Sequence, residues 1–194
     1  MCSWCWGFRP VWQEIRQNLA VNIRVQYVLG GLAPDTNEIM AKAMQQDIAG
    51  YWRKIQQHIP NTEFNFDFWQ ECEPRRSTYP ACRAVIAARR QQPELELAMI
   101  ESIQKAYYIH AKNPSNDDTL ISLAENLGLD KALFAKDLNA QCTHDLLHEE
   151  IQLAQSIGAQ GFPSMVLETH RHTQLVPLNY NEAQPTLDFI LQNI

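Results

Sequence analysis

The sequence predicts an α/β chain in which a small sheet-containing core is interrupted by a long helical block. Three observations carry this. Residues 21–29 alternate apolar and polar side chains with a period of two. From about Glu38 to Gly158, apolar residues recur at helical spacing between breakers. From Gly161 onward the period shortens again, and a final helix follows. The 194 residues suffice for one core carrying an inserted subdomain. The expected division is a first part of the core over 1–35, a helical insertion over 36–157 and a second part of the core over 158–194.

Taken in order, residues 6–20 place Trp6, Val11, Trp12, Ile15 and Leu19 at helical spacing, with Pro10 inside the helix. Val21, Ile23, Val25, Tyr27 and Leu29 then alternate with Asn22, Arg24 and Gln26, which is a strand pattern, and Gly30-Gly31 ends it. A helix from Met40 to Ile59 puts Met44, Ile48, Tyr51, Trp52, Ile55 and Ile59 on one face. The aromatic stretch Phe64 to Trp69 fits a loop or a short helix. Further helices are expected over Pro80–Arg90, Leu95–Ala111, Asp117–Leu127, Lys131–Leu138 and Thr143–Ile157, punctuated by Asn113-Pro114-Ser115, Gly128 and Asn139. Met165-Val166-Leu167 and Gln174-Leu175-Val176 read as a hairpin. Tyr180-Asn181-Glu182 opens the last helix.

Charge and cysteine usage narrow the function. The net charge of -6 argues against a nucleic-acid or anionic-membrane partner. No apolar run is long enough to span a bilayer. No secretory signal precedes Cys2, which sets a cytoplasmic expectation. The five cysteines are Cys2, Cys5, Cys72, Cys82 and Cys142, an odd and scattered set that does not read as a disulfide framework. The simplest account is one working pair, Cys2 and Cys5, with three bystanders that are reduced and partly buried.

Two cysteines separated by two residues at a helix N-terminus can close a disulfide across one turn. The first sulfur faces the unpaired amides and the positive end of the helix dipole, and both favour its thiolate. Thiolate is the attacking species in disulfide exchange, so Cys2 is the expected nucleophile. Cys5, one turn inside and more buried, would resolve the mixed disulfide. The competing accounts are a metal half-site or two structural thiols. Zinc would need two more ligands, and only His144 with His148, or His170 with His172, offer themselves. Gly161-Phe162-Pro163-Ser164 stands directly before a strand; Pro163 is either an ordinary loop proline or a cis proline exposing the backbone of Phe162. Trp12, Trp52, Trp69, Tyr107 and Tyr108 are expected in packing. Some aromatics could line a substrate groove beside Trp4 and Trp6. Arg75, Arg76 and Arg83 could hold an acidic ligand or form a solvated helix edge, and His58 and His110 are expected solvated near helix ends.

Cys2-Ser3-Trp4-Cys5-Trp6-Gly7, the helical block and Gly161-Phe162-Pro163-Ser164 before a strand together resemble the DsbA-like branch of the thioredoxin superfamily. The likeness is nearest to its bacterial protein-disulfide-isomerase members, beside the FrnE-like and 2-hydroxychromene-2-carboxylate isomerase-like proteins. The stretch Arg75–Ala84 is similar to that branch too. The resemblance implies a thioredoxin-like core split by a helical domain, Cys2 as nucleophile, Cys5 as resolving thiol and Pro163 as the cis proline facing them. Phe162 would offer its backbone to substrate, and Trp4 would border it. Ser3-Trp4 differs from the Pro-His of the oxidising members and the Gly-Pro of the reducing thioredoxins, so the direction of catalysis stays open.

The resemblance also places a central strand before the motif, where this chain begins with Met1. The first strand is therefore expected to be missing from this chain, with the native start upstream or the slot filled by another segment or subunit. Each buried backbone group left unpaired would cost about 1–3 kcal/mol. The expected activity is thiol–disulfide exchange on protein disulfides, with no cofactor. Protein thiols or a glutathione- or thioredoxin-type redox partner would serve it. The alternatives are a glutathione-dependent isomerase or transferase acting on a small molecule, and a client-binding module without catalysis.

Overall fold

In the computed structural model, which describes residues 1–194, nine α-helices accompany one antiparallel hairpin. The helices are α1 (Ser3–Asn18), α2 (Lys42–His58), α3 (Phe68–Glu71), α4 (Tyr79–Gln91), α5 (Glu96–Tyr108), α6 (Asp117–Asn126), α7 (Lys131–Leu138), α8 (Gln141–Ser156) and α9 (Gln184–Gln192). The strands are β1 (Val166–Glu168) and β2 (Thr173–Leu175), paired with Leu167 opposite Gln174. The fold is thioredoxin-like and mostly helical. No helix is long and apolar enough to cross a membrane.

Two compact units emerge. One comprises Cys2–Gly30, Ile55–Thr62 and Glu150–Ile194. There Phe8, Val11 and Ile15 on one face of α1 pack with Ala183 and Leu187 of the last helical segment. Leu167, Val176 and Ile190 form a second apolar cluster, which joins the hairpin to α9. Gly7 permits a close approach: a Cβ there would lie 2.7 Å from Ile59 Cδ1 and 3.1 Å from Ile55 Cγ2. Pro10 lies within α1.

The other unit comprises Met1, Gly31–Lys54 and Glu63–Glu149. Its α4 is buried from Pro80 to Ala88 except at Cys82, and its alanines let neighbouring helices come close. Trp52 is fully buried, stacked on Phe64 at 4.9 Å and edged by Tyr107 and Tyr108 at 5.5 Å. The aromatic stretch resolves into a turn followed by the single helical turn α3.

The expected strand at 21–29 does not form. The segment joins no ladder, and Val21 and Val25 are exposed. Alternation makes a segment fit for a pleated surface, but a strand exists only against another backbone in register. The hairpin is the only ladder between named strands, and β1 pairs there with β2 alone. Met1 and Cys2, the residues before α1, lie in no strand. Met44 and Tyr51, expected on the apolar face of α2, are exposed instead; the buried face runs through Gln45, Ala49, Trp52 and Ile55, and Ile59 is buried just past the helix end.

Candidate functional site: a thiol pair beside a cis proline

Cys2 caps α1 in an extended conformation (φ -95°, ψ 118°), and Cys5 sits one turn in. A sulfur in the N-cap position stands before amides that have no partner inside the helix. Here the Cys2 side chain makes no capping hydrogen bond, and the neighbouring Cys5 thiol and the amides of Cys5 and Trp4 favour its thiolate. The Cys5 thiol contributes most, burial opposes it, the two amides add to it, and the Cys2 thiol is lowered to about 7. Cys5 responds in the opposite sense: its hydrogen bond to Cys2, burial and the charge on Cys2 push its thiol well above the ordinary range. One thiol is thus favoured toward ionisation while the other keeps its proton. Both are free thiols.

The Phe162–Pro163 peptide bond is cis. In its protonated form Cys2 donates from Sγ to the Phe162 carbonyl oxygen at 3.1 Å, so residues 160 positions apart meet at the first thiol. The Phe162 ring lies over Gly30, where a Cβ would stand 2.0 Å from its Cε1 and 2.1 Å from its Cζ. No side chain beyond hydrogen fits at Gly30 with the ring in place. The amide of Leu29, next to it, donates to the Glu150 carboxylate at 2.7 Å.

An aromatic wall completes the site. Trp4, inside the Cys-x-x-Cys motif, meets Tyr180 edge-on at 5.2 Å and His58 at 5.8 Å. Tyr180 also packs on Phe8 at 5.5 Å. Burial, then the charges of Cys5 and Cys2, push the Tyr180 phenol up, so it remains a neutral O–H. The structure therefore brings together Cys2, Cys5, Trp4, Phe162 and Pro163, all picked out in the sequence. It adds Tyr180, His58 and Gly30. Tyr180 reads in the sequence only as a helix opener, and His58 only as a residue near a helix end. Gly30 stood out as a strand terminator, with nothing local to tie it to Phe162.

The remaining cysteines stand apart in environment. The Cys72 thiol donates to the Ala111 carbonyl and is pushed up, chiefly by burial. Cys142 is exposed rather than partly buried, and the Arg90 guanidinium at 2.8 Å draws its thiol down. No group of three or more His, Cys, Asp or Glu side chains is arranged to hold a metal ion. Arg83 is not part of a solvated edge: it is 4% exposed and bonded to Asp35, Asn139 and the Leu138 carbonyl.

The fold and the thiol pair at the head of α1 define a thioredoxin-like protein with a helical insertion. The sequence model of the family described as Thioredoxin matches residues 1–177, and the chain belongs to that family. Among solved structures it is similar to a "putative protein disulfide isomerase" of Nitrosomonas europaea, at 26% identity and a TM-score of 0.85 over 99% of this chain and 92% of that one. It is also similar to the cytosolic disulfide reductase DsbM of Pseudomonas aeruginosa, at 22% identity and a TM-score of 0.79 over the same shares. That reductase has also been solved with GSH, with a TM-score of 0.77 to this chain. These neighbours bear out the DsbA-like resemblance. In sequence the chain is similar to the ClpXP adapter protein SpxH of Halalkalibacterium halodurans, 25% identical over 170 residues covering 86% of this chain and 55% of that one. The SpxH of Bacillus subtilis is 22% identical over 172 residues, 89% of this chain and 56% of that one. The chain thus spans about half the length of the curated relatives it matches.

Proposed function

We propose that this protein is a thiol–disulfide oxidoreductase acting on protein disulfides through Cys2 and Cys5. The observation that carries the reading is the division of labour within the pair: a Cys2 thiol lowered to about 7 and a Cys5 thiol held high, with Cys2 against the carbonyl of the cis Phe162–Pro163 bond. The Cys2 thiolate attacks one sulfur of a substrate disulfide. A Cys2–substrate bond forms, the substrate S–S bond breaks, and the departing thiolate takes a proton. Cys5 then loses its proton and attacks the Cys2 sulfur, forming the Cys2–Cys5 disulfide and releasing the second substrate thiol. Two electrons and two protons pass to the substrate. The spent disulfide needs an external thiol to reset it; the similarity to a reductase solved with GSH supports a glutathione-type reductant. The same similarity, to a protein described as cytosolic, supports reduction as the working direction and a cytoplasmic setting. Phe162 offers its backbone to the substrate chain, and Trp4 borders it.

The assay is disulfide reduction with a glutathione-coupled readout. Cys2→Ser abolishes turnover, and Cys5→Ser accumulates mixed disulfides visible by mass spectrometry. Normal turnover by Cys2→Ser overturns the reading. The similarity to ClpXP adapter proteins favours a second reading, in which the chain binds a client without catalysis. That reading requires client binding to survive alkylation of both thiols.

A further inference from the structure

The helical unit holds a cavity of about 610 Å³, inside the usual range for small-ligand sites. Such sites are mostly apolar, but this one is lined by Asp35, Arg75, Ser77, Arg83, Ser115 and the first turn of α6, Asp117 to Thr119. Ser77, Arg83 and Ser115 are buried there. Arg83 and Asp35 neutralise each other across 2.7 Å. Arg75 is different. Its Nη2 donates to the Ser115 carbonyl and to Asn116 Oδ1, while its Nε and Nη1 have no acceptor and no carboxylate pairs with it.

Asn116 is the N-cap of α6, and its side chain makes no capping bond because its oxygen is engaged by Arg75. The first-turn amides of a ten-residue helix are left without that cap, next to a half-buried guanidinium lacking a counter-ion. Both present donors that suit a carboxylate. Asp117 is held by the Asn139 amide at 2.6 Å, whereas Asp118 is exposed and makes no ion pair or hydrogen bond. Three lining aspartates against two arginines would repel a phosphate dianion, but they suit a ligand carrying one charge of each sign.

We infer that this cavity binds a small zwitterion, an amino acid or short peptide with free termini, its carboxylate on Arg75 and the α6 amides and its ammonium on Asp118. The site is distinct in residues from the thiol pair and needs no redox chemistry.

Trialanine with free termini tests this, since it carries no sulfur. Calorimetry on the full chain should show binding that is unchanged in Cys2→Ser. Amidating the peptide's C-terminus or introducing Arg75→Ala should weaken binding about tenfold, the loss of one charge-assisted hydrogen bond. Acetylating the N-terminus should weaken it in the parent chain and make no further difference in Asp118→Asn. Amide shifts in a nitrogen–proton spectrum should cluster at residues 115–119. Absence of binding by alanine, dialanine and trialanine, indifference to both blocking groups, or shifts centred on Cys2 would each overturn the inference. If Arg75→Ala does not fold, the exposed Asp118→Asn variant decides the matter.

Discussion

Cys2 and Cys5 are chemically alike in the sequence and unlike in the fold. The Cys-x-x-Cys spacing at a helix start anticipates a first thiol easier to ionise, and the neighbouring Cys5 thiol and two amides lower it. The partner at Phe162 came only through the family resemblance, because a contact across 160 residues leaves no trace in the local pattern. The lowered thiol makes a definite pH prediction. Alkylation of Cys2 by iodoacetamide should rise with pH through a midpoint near 7, whereas a free cysteine titrates near about 8.5. The thiolate fraction falls as pH drops below that midpoint, so reactivity is lost toward acid. Cys5 should stay unlabelled at neutral pH, since its thiol is pushed up. Labelling of both at one rate would contradict the asymmetry. Gly30 carries a second prediction. Gly30→Ala inserts a Cβ about where the Phe162 ring lies, so the ring must move and the Phe162 carbonyl with it. Disulfide exchange should slow while far-UV circular dichroism, dominated by the helices, stays unchanged. An unchanged rate would mean that the ring yields without disturbing its carbonyl.

At the scale of elements, the helices were legible and one strand was not. Lys131–Leu138 coincides with its expectation, and Asp117–Asn126 and Gln141–Ser156 differ from theirs by only a residue or two at the ends. Helical spacing, Asn113-Pro114-Ser115 and Gly128 are local signals, and helices close their hydrogen bonds locally. A strand does not, and residues 21–29 show the consequence. Their alternation is real, yet no amide from Arg24 to Val28 donates a hydrogen bond within the chain. Leu29 alone at the segment's end is held, by Glu150. Hydrogen exchange should therefore find the amides of 24–28 nearly unprotected, and those of α1 beyond its first turn slowed by many orders of magnitude. Protection at 24–28 comparable to α1 would require a backbone paired against them, and would show that this segment serves as a strand in solution.

The whole molecule is organised as two compact units, and α2 contributes to both, with Lys42–Lys54 in one and Ile55–His58 in the other. The apolar pattern of α2 foretold a buried face, but only the fold distinguishes Trp52 from its neighbour Tyr51, fully buried against half exposed. The reason is the aromatic stretch after Pro60: Phe64, Phe66, Phe68 and Trp69 all gather on Trp52, with ring centroids 4.9 to 6.2 Å away. Pattern within α2 cannot reveal that, because it depends on a segment the sequence left open between loop and helix. Trp52 is therefore the side chain whose loss should be felt most in the helical unit. Truncating a buried tryptophan to alanine costs about 3–5 kcal/mol. For a chain of this size each kcal/mol lowers the melting temperature by roughly 2–4 °C, so Trp52→Ala should lower it by roughly 10 °C. Tyr51→Ala, one residue away and exposed, should shift it by no more than about 2 °C, within the usual range for surface substitutions. Thermal melts of the two variants side by side measure the difference, and equal shifts would show that the aromatic cluster does not hold this unit together.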